Sequence, residues 1–159
     1  MKRLLTTLAV LVAVFAQVKI GFAEMIYDNG FPDTEGLVYS DFDFSQQMGD
    51  DFVLNAGKNV ITGVHWWGCY DPISTPPLED DFTIRFFAIS GGTPESTALH
   101  DIHVGHVTRT EAGLDIGSEY TRQILDVFEY WAQVPPIALA PGEGYFLSIV
   151  DNTADTWGS

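Results

Sequence analysis

The sequence holds a single cysteine, Cys69, in 159 residues. No internal disulfide can form, so packing must hold the fold, alone or with a bound ion. Cations are also scarce: seven Lys and Arg stand against 22 Asp and Glu, a formal charge of −15. A chain this acidic repels phosphate backbones and anionic membrane surfaces, which argues against nucleic acid as a partner. The sequence contains no Gly-x-Ser-x-Gly elbow and no Gly-rich phosphate loop. Nothing in it matches a twelve-residue calcium loop either. Internal repeats and low-complexity linkers are missing, and almost no segment shows helical periodicity.

What is present begins with an address. Met1-Lys2-Arg3 is basic, Leu4 to Ala16 is apolar and uncharged, and Gly21-Phe22-Ala23 supplies small residues for cleavage. Val14-Phe15-Ala16 is a second candidate cleavage site. The apolar run is too short to span a bilayer, so residues 1–23 read as a secretory signal peptide. The protein is therefore expected outside the cytoplasm: extracellular, on the cell surface or in a periplasm. No membrane span is expected after the signal is removed. Beyond residue 23 only Lys58, Arg85, Arg109 and Arg122 oppose all the acidic residues.

Residues 24–159 are long enough for one domain with a real core. Short alternating segments recur between Gly, Pro, Asn and Asp. Asp50 to Leu54 is a strand. Asn59 to Tyr70 is another, with Val60, Thr62, Val64 and Trp66 on one face and Ile61, Gly63, His65 and Trp67 on the other. Asp81 to Ile89 puts Phe82, Ile84, Phe86 and Ala88 together. Its opposite face is half apolar, through Phe87 and Ile89, so either both faces are covered or one edge of the sheet is sticky. Gly91-Gly92-Thr93-Pro94 turns the chain, Leu99 to Arg109 is a long broken strand, and Glu111 to Leu114 is a loop. From Arg122 to Val134, Ile124, Leu125, Phe128 and Trp131 fit a helical stripe, but Val127, Phe128, Tyr130, Trp131 and Val134 favour strand, so Val127 to Gln133 is read as a strand that Pro135-Pro136 ends. Gly144 to Val150 is a strand whose inward set is either Tyr145, Leu147 and Ile149 or Phe146, Ser148 and Val150. Roughly eight short strands at even spacing predict an all-β, antiparallel two-sheet β-sandwich, jelly-roll-like in layout. Asp155-Thr156-Trp157 reads as the start of a closing strand, so the domain is expected to be truncated at its C-terminus. That leaves an edge open to pairing with another chain.

Several segments occur together and in order. They are Asp50-Asp51-Phe52-Val53-Leu54, Ile61-Thr62-Gly63-Val64 with Trp66 and Gly68, and Phe82-Thr83-Ile84-Arg85-Phe86-Phe87 with Gly91-Gly92-Thr93-Pro94. The last runs from Ile137 through Pro141-Gly142-Glu143-Gly144 to Ile149. Over residues 26 to 157 this order resembles the β-sandwich domain of exported bacterial proteins of the PEP-CTERM-sorted type. The resemblance implies the sandwich and export rather than an activity. The C-terminal sorting tail of that group is not seen in the sequence.

Three constellations could carry chemistry. His100, His103 and His106 are evenly spaced, but on a regular strand His100 and His106 share a face roughly 20 Å apart while His103 points away. Exposed edge-strand histidines are the expected reading. Acidic residues start many turns and strands, and calcium takes six to eight oxygens, often from distant loops. Asp28, Asp50, Asp51 and Asp151 are the candidate ligands of a structural calcium, against the plainer reading of turn formers that bond their own backbones. No cofactor is required. Finally, Trp67, Tyr70 and Trp131 could form a platform for sugar rings, against the plainer reading of aromatics packed in a core. Glu129 and Glu143 are the carboxylates that could in principle act as a glycosidase pair.

These features predict a secreted, non-enzymatic β-sandwich module with a structural or binding role, in an extracellular matrix or at the cell surface. Its partner would be an extracellular glycan or a protein. A carbohydrate-binding module using exposed aromatics is one alternative. An accessory fragment of an extracellular hydrolase is the other. An exposed aromatic row favours sugar binding, whereas a deep cleft lined by carboxylates favours an enzyme.

Overall fold

The computed structural model describes residues 24–28, 30, 40, 47–70, 76–117, 124–153 and 157–158. The expected signal peptide lies outside these residues. The chain is an all-β, antiparallel two-sheet sandwich. Its strands are β1 (Gly49–Val53), β2 (Val60–Tyr70), β3 (Asp80–Ser90), β4 (Thr93–Pro94), β5 (His100–Val107), β6 (Thr110–Gly117), β7 (Ile124–Ala138), β8 (Gly144–Asp151) and β9 (Trp157–Gly158). One sheet runs β1-β8-β3, and β3 then pairs with β5 along its first half and with β4 at its far end. The other runs β6-β7-β2-β9.

Alternation explains the core. Phe82, Ile84 and Phe86 of β3 face inward and are almost fully buried. Tyr145, Leu147 and Ile149 of β8 lie opposite Ala88, Phe86 and Ile84, so the first of the two inward sets is the one used. The other face of β3 is covered too, since Thr83 and Phe87 are buried. Aromatic rings join the sheets. Trp66 of β2 stacks on Tyr130 of β7 at 5.5 Å and 11°, and Phe82 of β3 meets both edge-on, at 5.2 Å and 5.0 Å. Rings in such offset and edge-on contacts add attraction beyond the area they bury.

Three irregularities make four corrections to the sequence reading. Pro135-Pro136 does not end β7, which continues to Ala138. Ile61 pairs with Ile137 and Gly63 with Gln133, so Val134, Pro135 and Pro136 together oppose Thr62. The prolines sit where the ladder is already interrupted, so their missing N–H groups cost no regular pairing. The same irregularity rotates the start of β2. Ile61 and Val64 are both buried although three residues apart, while Val60 and Thr62 are exposed. The segment Glu111 to Leu114 lies within β6, as a register shift between Glu111 and Asp115 rather than a separate loop. The last correction is in β5. Phe82 pairs with Gly105 and Thr83 with His103, which leaves Val104 as an extra residue. Gly105 takes a φ of 68°, a conformation that glycine adopts without a side-chain clash. His103 and His106 therefore oppose Thr83 and Asp81 on one outer face, while His100 turns toward the Phe86 ring.

The second sheet narrows at one end. β6 pairs with β7 only as far as Glu129, and β9 pairs with β2 only at Cys69 and Tyr70. Among the described residues, Val60–Trp66 and Trp131–Ala138 thus pair with each other and with no third strand.

Candidate functional site

The narrow end carries the exposed aromatic of interest. Trp66 faces the core and is 5% exposed, so its neighbour Trp67 must face outward. Across the ladder Trp67 opposes Glu129 and His65 opposes Trp131, which places all four side chains on the outer face. His65 and Glu129 connect diagonally, with Nε2 and Oε1 2.7 Å apart. The Trp67 ring meets the His65 ring edge-on at 4.3 Å. Trp67 is half-buried, whereas Trp131 is 57% exposed. Gly63 gives Trp131 its seat. A β-carbon there would stand 3.2 Å from Cζ2 and 3.3 Å from Nε1 of the indole. The missing side chain lets the ring lie against the backbone.

Beside this block lies an open groove of about 620 Å³. It forms where the chain from β5 to β6 parts from β7. Its polar walls are Thr108, Thr110, Gln133, His106 and Glu129, with Trp131 as the large exposed ring. Glu129 is the one carboxylate among the lining residues, and none of them is Lys or Arg. Glu143 sits in the connection between β7 and β8 and does not line the groove. The arrangement can stack a flat apolar ring face on the indole and hydrogen-bond hydroxyl groups around it.

Tyr70 takes no part. It is 5% exposed and points inward with Trp66. Tyr70 lies three positions after Trp67, so strand alternation alone puts them on opposite faces. Its hydroxyl donates to Asp80 and lies 3.2 Å from Asp151 Oδ2. Both carboxylates are buried, Asp80 at 2% and Asp151 at 0% exposure. Arg109 reaches this cluster with Nη1 3.1 Å from Asp80 Oδ1 and Nη2 3.0 Å from the Pro77 carbonyl. Its guanidinium lies over the rings of Tyr70 and Phe128. Burial pushes Asp151 up to about 6, and the nearby Asp80 carboxylate adds to the rise. Two bonds from Thr153 and one from Tyr70 oppose it. Burial also raises Asp80, against the pull of the Tyr70 bond and the Arg109 charge. The Tyr70 phenol is raised by burial first and then by its bond to Asp80. Sequence alternation held a signal for Asp80, which has the parity of the inward residues Phe82 and Ile84.

The four acids considered for calcium do not form one cluster: Asp28, Asp50 and Asp51 lie around Tyr27, whereas Asp151 is buried at the end of β8. Asp28 Oδ1 accepts from the Gly30 N–H at 2.9 Å, the turn-forming role that short acids favour. Asp50 and Asp51 are exposed on β1, and the Asp51 carbonyl accepts from the Tyr27 hydroxyl. Partial loss of solvent raises the Asp50 carboxyl, and the neighbouring Asp51 charge adds to the rise. Asp151 is spent on Thr153 and Tyr70. Among the described residues no three His, Cys, Asp or Glu converge to hold a metal. The β5 histidines follow suit: His103 Nε2 lies 2.6 Å from Asp81 Oδ1, and that carboxylate also accepts from Asn152.

Fold and site together define a two-sheet β-sandwich with an aromatic and polar outer face beside a groove. No protein-family model matches the chain, and neither a curated protein nor a solved structure shows significant similarity to it.

Proposed function

We propose that this chain is an exported, non-enzymatic β-sandwich module that binds an extracellular glycan through Trp131 and the adjoining groove. The observation that carries the reading is the exposure of Trp131, 57%, at a groove walled by hydroxyl, amide and imidazole groups. A large aromatic ring left in water loses the burial it would gain in a core, and flat ring faces suit the C–H faces of sugars. Trp67, on the same face and beside His65, extends the platform. Binding rather than hydrolysis is favoured because glycosidases flank the bond with two carboxylates. Here Glu129 is the carboxylate of the groove, and His65 already engages it. The leader-like first 23 residues and the resemblance to exported sandwich domains support a place outside the cytoplasm.

The test is retention on immobilised polysaccharides. The protein is expected to be retained by at least one of them, and Trp131→Ala to lose retention while melting at the same temperature. Equal retention of both proteins on every matrix contradicts the reading.

A second reading rests on the edge of β2. Among the described residues, Val60–Trp66 pairs with β7 and with no second strand, and it carries neither Lys nor Pro. Such edges accept strands from other chains. Light scattering across a wide concentration range tests it, with a mass fixed at the monomer speaking against self-pairing.

A further inference from the structure

We infer that the groove selects amino sugars, with a glucosamine ring stacked on Trp131 and its ammonium on Glu129. The inference rests on the glycan reading above and names the class of sugar. Glu129 and Trp131 project from one face of β7 two residues apart, roughly 6.6 Å along the strand. A single pyranose ring with its amino substituent reaches both. His65 Nε2 occupies Oε1 of Glu129, and among the described residues no other hydrogen bond falls on that carboxylate. The Glu129 side chain is 46% exposed and the residue lines the groove.

Charge points the same way. A sugar carboxylate entering the groove meets no lining Lys or Arg, and it approaches a protein of formal charge −15. An ammonium instead gains a charge-assisted hydrogen bond at Glu129 and a favourable approach to the indole face. Thr108, Thr110 and Gln133 are neutral and serve the remaining hydroxyls. His65 is a positioning residue, since it touches Glu129 rather than the sugar.

The test uses three soluble oligosaccharides of one β-1,4-linked backbone that differ only at C2: glucosamine, N-acetylglucosamine and glucose oligomers. Calorimetric titration of the full chain at mildly acidic pH and moderate salt is expected to rank glucosamine first by about tenfold. Trp131→Ala is expected to abolish binding. Glu129→Gln is expected to bring the glucosamine oligomer down to the glucose level. Glu143→Gln, which also removes one negative charge but lies outside the groove, is expected to keep the preference.

A Trp131-dependent binder that ranks glucose or N-acetylglucosamine equal or higher overturns the amine selection and leaves the glycan reading standing. A glucosamine preference that survives in Glu129→Gln overturns it too, because the general acidity of the surface then explains the ranking. Binding of none of the three, nor of any immobilised polysaccharide, overturns both.

Discussion

Trp131 rests on Gly63, so closely that a single added β-carbon would come within 3.2 Å of the indole. The exposed ring thus occupies space left by the missing side chain of its diagonal cross-strand neighbour. Substituting Gly63→Val adds bulk that displaces the ring, and a β-branched residue suits a strand. Stability is expected to hold or rise by up to about 1 kcal/mol, while glycan affinity falls by about tenfold or more. Chemical denaturation and a binding titration on the same sample check both halves.

The sheets are predicted to separate when the aromatic junction is cut. Phe82 touches Trp66 and Tyr130 and is fully buried, so Phe82→Ala removes contacts from both sheets at once. The expected cost is about 3–5 kcal/mol. Trp131→Ala, at an exposed position, is expected to cost under about 1 kcal/mol. Urea unfolding of the two variants separates a core ring from a surface one.

Much of this was legible beforehand, and particular residues show why. Phe82, Ile84 and Phe86 alternate without interruption, and the structure places them as alternation predicts. Trp66 and Trp67 had to face opposite ways, and they do. The misreadings fall where the period of two slips. Pro135-Pro136 reads as a stop in one dimension, but opposite Thr62 it is a bulge within a longer strand. The extra residue at Val104 puts His103 and His106 on one face instead of opposite ones, and the isolated Gly105 was the available cue. The diagonal between His65 and Glu129 spans 64 residues of sequence, and only strand pairing creates it. Composition did not mark the buried acids, but within Glu79-Asp80-Asp81 alternation singles out Asp80, which shares the parity of Phe82 and Ile84.

Asp151 gives a prediction about pH. Its folded value of about 6 lies above its ordinary 3.8, so the folded protein holds a proton more tightly than the unfolded chain does. Its contribution is therefore most favourable below about pH 4 and is lost as pH rises toward 6, staying flat above. Asp151→Asn is expected to remove that dependence and to stabilise the protein at neutral pH by roughly 2–3 kcal/mol at most. The new amide keeps an oxygen for Thr153, and its N–H can donate to the Tyr70 oxygen while Tyr70 donates to Asp80. Denaturation curves for both proteins between about pH 4 and pH 7 check the sign. A parent that gains stability across that interval, relative to the variant, would contradict it.

Arg109 is predicted to matter more than any surface charge. It bonds Asp80 and the Pro77 carbonyl through two different nitrogens and lies over two rings. Arg109→Met leaves Asp80 buried without its cation, at an expected cost of about 3–5 kcal/mol. Arg109→Lys is expected to recover little, because one ammonium cannot reproduce the planar fork. By contrast His103→Ala, which breaks an exposed pair with Asp81, is expected to cost under about 1 kcal/mol. Thermal melting of the three variants at one pH ranks them.

The central claim is that Trp131 meets the ligand while Trp66 does not. The most direct measurement follows the indole N–H signals of both residues by nuclear magnetic resonance, each assigned by substitution, during titration with glucosamine and glucose oligosaccharides. The account predicts a saturable shift of the Trp131 signal with at least one of the sugars and a stationary Trp66 signal. A Trp131 signal that stays in place up to about millimolar sugar, the weak end of specific binding, would contradict it.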